Sequence, residues 1–457
     1  MQNKNGTIVS QNGASNPVIR LVRTLDSYAN IDYTFDESLV PNGIFREVYD
    51  YIKDRTDVPE QFIFTGVLAM FCGIVGNRIF FKGRVWKFKP HDYFILMAGS
   101  GYDKTTILEK IRGILEELEE KINDNPYNNV LIYPDFYPRK SMLRRLLDLM
   151  CEKSERQSVF LYPESSTLRG LVDLMRGESE AELHARSVAK EKGKPEPPPR
   201  VPQRSGVAIF DEVSELFVIR SEFKKVLVYT LIQLWDGSST SFATSIRTGG
   251  VRWFKGTALT VLSASTPIGL IECLSKNSRS MNICFLDLIF SRFQVVNAGR
   301  RLKPPKSLGR LILEWQNNGD EIKKRYNEIL EKLKQFYQFV CRLSQAKAPV
   351  LVSDEAKAFD RQSAQAWHEE RMDLDETTAG YMTEITSRYM TRLDVRKVRY
   401  ALLFSILECF DQHGQSANAI TMTGTAMQRA IEVCEFYKTH TLHFLVKAKE
   451  IRPKLFR

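Results

Sequence analysis

"YFILMAGSGYDKTTILEKIRGILEELEEKI", residues 93–122, decides how the rest of this chain is read. Tyr93 to Met97 form a short apolar strand. A Gly/Ser-containing turn follows, and then a long amphipathic helix with Ile107, Ile111, Ile114, Leu115 and Leu118 on its inner stripe. A strand that runs through a glycine-rich turn into a helix suits a phosphate-binding loop. Glycines let the backbone approach phosphate oxygens, a lysine reaches the β- and γ-phosphates, and a hydroxyl binds Mg²⁺. Gly99, Ser100 and Gly101 supply the turn, Lys104 the cation, Thr105 the hydroxyl, and Thr106 follows. Two positions depart from the pattern: Ala98 stands for the first glycine and Asp103 for the last.

Asp103 leaves two expectations open. Helix N-termini attract anions. A carboxylate at the helix start can therefore cap it in place of a phosphate and leave the loop occupied by its own side chain. Alternatively Asp103 turns outward and the backbone still cradles a nucleotide.

A second stretch, "VAIFDE" (207–212), is an apolar run suited to a central strand of a parallel sheet, with two acids at its end. Paired with the loop upstream, Asp211 is expected to complete a Mg²⁺ site with Thr105, and Glu212 to orient an attacking water. On its own the same stretch is a strand followed by a helix cap. A third, "LTVLSASTP" (259–267), brings Ser263, Ser265 and Thr266 to the end of another core strand, as γ-phosphate contacts or as turn chemistry before Pro267. Multimeric ATPases complete their sites with an arginine. Arg247, Arg252, Arg292, Arg300 and Arg301 are candidates, and Arg292 is preferred because it stands among apolar residues.

The 457 residues suffice for about three domains, and their 43% hydrophobic and 26% charged content is that of a globular protein. The seven cysteines (72, 151, 273, 284, 341, 409, 434) form no C-x-x-C pair and mostly lie in apolar runs, which suits reduced buried thiols in a cytoplasmic setting. The uncharged run from Gln61 to Asn77 is short for a bilayer span, so no membrane partner is expected. A net charge of +10 fits a nucleic-acid partner, and equally a solvated basic surface. Basic clusters stand at 139–145, at 300–310 and in the C-terminal "KAKEIRPKLFR". His440 and His443 share a helix face without an acidic or cysteine neighbour, so no metal site is read there.

The expected organisation is a flexible arm (1–35), a helical N-terminal region (36–92), an α/β core (93–303) and a helical C-terminal domain (304–457). Within the core, 176–205 is charged and then proline-rich, and reads as a flexible insertion. Hairpins are expected around Lys82-Gly83 and at Gly249-Gly250, and "NVLIYPD" and "SVFLYPE" read as further strands.

Taken in order, these parts resemble a family of P-loop ATPase-like proteins of phages, plasmids and prophages, often fused to or encoded near primase domains. The resemblance covers about residues 40 to 440. It rests on "PNGIFREVYDYI", "VLAMFCGIVGNRI", "LMAGSGYDKTT", "GVAIFDEVSELF", "LTVLSASTPIGLI" and "FSRFQVV", and on "LVSDEAKAFDRQSAQAW", "VRYALLFSILECF" and "ITMTGTAMQRAIEVC". It implies a RecA-like P-loop NTPase core with helical N- and C-terminal parts. It also implies ATP and Mg²⁺ as cofactors, and a role in replicating or unwinding the DNA of a mobile element. A homo-oligomeric ring or filament would follow, a hexamer being one form, with any primase or other replication protein supplied separately. Asp103 departs from the family's glycine. The alternatives are a non-catalytic scaffold, such as a replication initiator or helicase-loading partner, and an ATP-dependent switch in a defence or mobile-element system.

Overall fold

A computed structural model describes residues 35–83, 87–99, 101, 103–123, 180–192, 205–213, 222–236, 242–246, 250–254, 256–270, 290–298, 308–377 and 381–455. Residues 1–34 of the expected arm, the strands at "NVLIYPD" and "SVFLYPE", Ser100, Arg247, Arg300, Arg301 and the basic cluster at 139–145 lie outside these residues, while Phe35, the last residue of that arm, packs against Tyr49 and Phe64.

Helix α1 (Ile44–Lys53) is amphipathic and buries Ile44, Phe45, Val48, Tyr49 and Ile52. Helix α2 (Glu60–Val75) is apolar all round, and every residue from Gln61 to Val75 is buried. A helix with no polar face belongs inside a protein, and α2 touches all four strands of the central sheet. No described helix is long and apolar enough to cross a membrane. Two glycines let α2 approach its neighbours. A Cβ on Gly66 would sit 3.0 Å from Ile111 Cγ1, and one on Gly73 only 2.2 Å from Val207 Cγ2.

Strands β1 (Phe81–Lys82) and β2 (Lys87–Phe88) pair antiparallel, as expected of a hairpin. The central sheet then begins with β3 (Tyr93–Met97), followed by helix α3 (Lys104–Asn123). Helix α4 (Glu180–Glu191) falls in the segment expected to be flexible. "EAELHARSVAKE" is rich in strong helix formers, and that local propensity outweighs its charge. Strand β4 (Ser205–Phe210), helix α5 (Glu222–Asp236), the hairpin β5 (Phe242–Ile246) and β6 (Gly250–Phe254), and strands β7 (Ala258–Ser265) and β8 (Phe293–Asn297) complete this part. Gly250, expected in the turn, pairs with Ile246 and so belongs to β6.

The four strands run in the order β4-β7-β3-β8, all parallel. Tyr93 stands opposite Val261 on one side and Phe293 on the other. From β3 the chain moves to one side for β4 and β7 and returns to the other for β8. Such a reversal opens a crevice beyond the C-terminal end of the first strand, where open α/β sheets bind ligands.

The C-terminal part is helical, as the periodicity predicts: α6 (Leu308–Gln345), α7 (Asp354–Thr377), α8 (Tyr381–His413) and α9 (Gly424–Leu455). Two short parallel strands, β9 (Val350–Val352) and β10 (Ile420–Met422), tie it together. One apolar core runs from Leu39 to Leu445 through helices and sheet alike.

Helix α9 seals an edge of the sheet. The Val295 N–H donates to Thr441 Oγ1 (3.1 Å) and the Asn297 N–H to His440 Nδ1 (3.0 Å). The Asn297 side-chain amide donates to the His440 carbonyl (3.0 Å). Ladder groups that an edge strand would otherwise present are thus satisfied by a helix. His440 is an acceptor here. Burial, and then the neighbouring His443, push its pKa down to about 3.

Two predictions follow from this packing. Gly73→Ala forces a stiff, buried Val207 aside and should cost about 1–3 kcal/mol in chemical denaturation, and an unchanged midpoint would mean that α2 does not press on β4. His440 stays neutral in the fold while the unfolded chain protonates near pH 6.5. Its contribution is therefore complete above that value and is lost as pH falls towards 3. His440→Asn, which keeps an acceptor, should flatten that part of the stability profile.

Candidate functional site

The loop between β3 and α3 begins where two strands end. The Ala98 N–H donates to the Ser265 carbonyl at the end of β7 (3.3 Å), so the loop leaves the sheet beside that strand. Gly101 has φ +84°, and a Cβ there would meet nothing within 4 Å. Its need for glycine is conformational, and the space around it is open. Asp103 has φ +50°. Aspartate is among the few residues that enter this left-handed region with any ease. Asp103 therefore takes the backbone conformation for which a glycine would be used, and its carbonyl accepts the Ile107 N–H of α3 at 3.4 Å. A capping side chain normally works from an extended backbone, and Asp103 does not have one.

Lys104 and Thr105 occupy the first turn of α3, followed by Thr106. The Lys104 ammonium turns back on its own loop and donates to the Ala98 carbonyl (2.8 Å) and the Gly99 carbonyl (2.9 Å). Partial burial lowers its pKa, while Glu212 and Asp211 pull the other way. The Thr105 hydroxyl donates to Asp211 Oδ1 at 2.8 Å, across 106 positions of sequence. Asp211 and Glu212 directly follow β4, and both are exposed. The Val213 N–H donates to the Ala264 carbonyl (2.8 Å), which holds the chain beyond these acids against the end of β7. The Ser265 hydroxyl donates to Glu212 Oε1 at 2.8 Å. Lysine, hydroxyl, two carboxylates and serine thus gather beyond the C-terminal ends of β3, β4 and β7.

The three hydroxyls of "LTVLSASTP" separate. Ser265 reaches Glu212. Ser263 is buried and donates to the Phe94 carbonyl (2.7 Å), and Thr266 Oγ1 accepts the Gly269 N–H (3.1 Å) as a local turn. Arg292 is not brought to the loop. It immediately precedes β8, level with Asp92 at the start of β3, about five residues or ~16 Å of strand from the loop. Its guanidinium grips Asp236, with Nη2 2.9 Å from Oδ1 and 2.8 Å from Oδ2. Only 6% of that side chain is exposed, so it serves the structure as an ion pair.

Sequence reading missed Asp92. It is fully buried and accepts from Trp235 Nε1 (2.6 Å), the Tyr93 N–H (2.9 Å), Arg396 Nε (3.0 Å) and Tyr400 OH (2.6 Å). The available signal was a single acid directly before an all-apolar strand.

The donors fit Mg²⁺ chemistry. A hydroxyl and a carboxylate in contact are hard oxygen ligands, and Mg²⁺ is commonly held by one or two protein groups together with phosphates and water. Among the described residues no group of three or more His, Cys, Asp or Glu could form a metal cage. Compared with protein-family models and with curated proteins, the chain matches none.

If Asp103 does the backbone work of a glycine, Asp103→Gly should relieve its left-handed strain and stabilise the fold by about 1 kcal/mol, read as a raised denaturation midpoint. A lowered midpoint would mean that the carboxylate makes a contact worth more than that strain.

Proposed function

We propose that this protein is a P-loop ATPase with a RecA-like core that works on DNA as a helicase or translocase in the replication of a mobile element. The observation that carries the reading is the 2.8 Å hydrogen bond from Thr105 to Asp211, made between the two motifs that the reading needs together. The sheet order supports the RecA-like core: the acids stand one strand away from the loop strand, and β7 between them supplies Ser265.

On this reading the loop backbone and Lys104 would bind the triphosphate of ATP, and Mg²⁺ would supply charge neutralisation there. Lys104 exchanges the carbonyls of Ala98 and Gly99 for phosphate oxygens. Thr105 and Asp211, hydrogen-bonded to each other here, are the groups that would hold the cation. Glu212, steadied by Ser265, orients the attacking water. Arg292 keeps its place in the ion pair, so an arginine completing the site comes from another position. The homo-oligomer, DNA and a separately encoded primase are the partners, and the cytoplasm is the setting.

One observation favours the scaffold reading instead: Lys104 already has two carbonyl partners, a loop closed upon itself.

Calorimetry with Mg²⁺-ATP separates the two. The motor reading expects saturable binding that Lys104→Ala weakens at least about tenfold. Glu212→Gln should retain that binding while slowing hydrolysis, and ATP-driven strand displacement with it, by about 10²-fold or more. Absent binding in the parent, restored by Asp103→Gly, would hand the case to the scaffold. Binding with turnover but no strand displacement would indicate an ATP-gated switch.

A further inference from the structure

The other end of the sheet carries a second concentration of charge. Four guanidinium groups converge on the Trp235 ring: Arg399 at 4.3 Å from its centroid, Arg396 at 5.2 Å, Arg292 at 5.6 Å and Arg392 at 6.0 Å. Arg392, Arg396 and Arg399 come from α8, on a spacing that keeps them on one side of the helix. Among the described residues Asp236 grips Arg292 and Asp92 accepts from Arg396, while Arg399 donates to the His91 carbonyl (3.1 Å) and the Trp235 carbonyl (2.7 Å). Lys89 lies close by, buried, with its ammonium on the Thr257 carbonyl (2.8 Å).

Among the described residues the positive charge is in excess, and two atoms mark where. Arg396 Nη1 and Arg399 Nε are buried polar groups without a hydrogen-bond partner. Arg392 forms no ion pair among the described residues, and its guanidinium donates only to the Arg388 carbonyl of its own helix (2.7 Å). Desolvation, and then Arg292 and Arg396, push its pKa down to about 9, while burial beside Arg396 brings Arg399 to about 10. Buried cations in this number are costly unless an anion accompanies them. Arg392 is half-buried, and Asp236 beside it has 41% of its side chain exposed, so this flank of the cluster opens to solvent.

We propose that Arg392, with Arg396 and Arg399 behind it and Trp235 alongside, forms a binding site for a phosphate-class oxyanion, separate from the nucleotide loop and at the opposite ends of the strands. A guanidinium fork matches phosphate oxygens two at a time, and an anion here offsets the repulsion within the cluster. The phosphate comes either from a nucleic-acid backbone or from a small free anion, because both present the same oxygens. The site does not depend on the loop's binding ATP.

The test uses the full chain in a Lys104→Ala background, so that the loop cannot account for phosphate binding. Thermal melts are titrated with inorganic phosphate and pyrophosphate. Anisotropy of a labelled single-stranded oligonucleotide is followed against salt. Arg392→Gln is compared with Arg392→Lys, which keeps the charge and guards against loss of fold. Phosphate should raise the melting temperature, the glutamine variant should lose that response with an affinity at least about tenfold weaker, and lysine should fall between. If the source is nucleic acid, Arg392→Gln also weakens oligonucleotide binding and lowers the salt slope by about 0.7. If it is a free anion, oligonucleotide binding stays unchanged. Phosphate and oligonucleotide responses that are both indifferent to Arg392 overturn the proposal.

Discussion

A carboxylate sealed inside a protein is tolerable only when its lone pairs are fully used, and Asp92 meets that condition with donors from four parts of the chain. Its own strand supplies the Tyr93 N–H, α5 supplies Trp235, α8 supplies Arg396 and Tyr400, and β8 adds Gln294 at 3.5 Å. Replacing a well-packed buried pair can be neutral, whereas removing one partner strands a charge, at about 3–5 kcal/mol. Asp92 therefore fixes the strand that carries the loop against the helix that follows the acids and against the C-terminal helices. The cluster of Lys104, Thr105, Asp211 and Glu212 stands on this footing, beyond the far end of β3.

Parallel pairing then does the assembling. Because β3, β4 and β7 point the same way, their C-terminal ends come out side by side. Thr105, Asp211, Glu212 and Ser265 meet although they are scattered over 161 positions of sequence. The loop's odd residue fits the same logic. The turn asks for a left-handed backbone before α3, glycine is the usual answer, and aspartate is one of the few others that chemistry allows.

The strands at Tyr93–Met97, Ser205–Phe210 and Ala258–Ser265 were legible because short, mostly apolar runs between turn residues say "central strand" whatever surrounds them. Lys104, Thr105, Asp211 and Glu212 were singled out because their order along the chain suits one chemistry, and the fold brings them to one end of the sheet. Long-range choices were not. Nothing local tells Ser265, which meets Glu212, from Ser263, which turns to the Phe94 carbonyl. Arg292 looked functional because it sits among apolar residues, yet the reason is Asp236, 56 positions earlier. The helix at Glu180–Glu191 was hidden by its charge, although its propensities were in plain view.

The sealed edge of β8 has a consequence for how the protein is made. Tyr93 pairs with Phe293, 200 positions later, and the edge beyond is closed by His440 and Thr441. At about 5–20 residues per second of synthesis, on the order of 20–70 s pass between the emergence of β3 and that of α9. For about 10–40 s of that interval, until β8 emerges, the largely apolar α2 is already out of the ribosome without the complete sheet it is built to cover. Such high contact order makes the nascent chain slow to settle and prone to stick to its neighbours, so a holding chaperone would meet this protein first at "QFIFTGVLAMFCGIV".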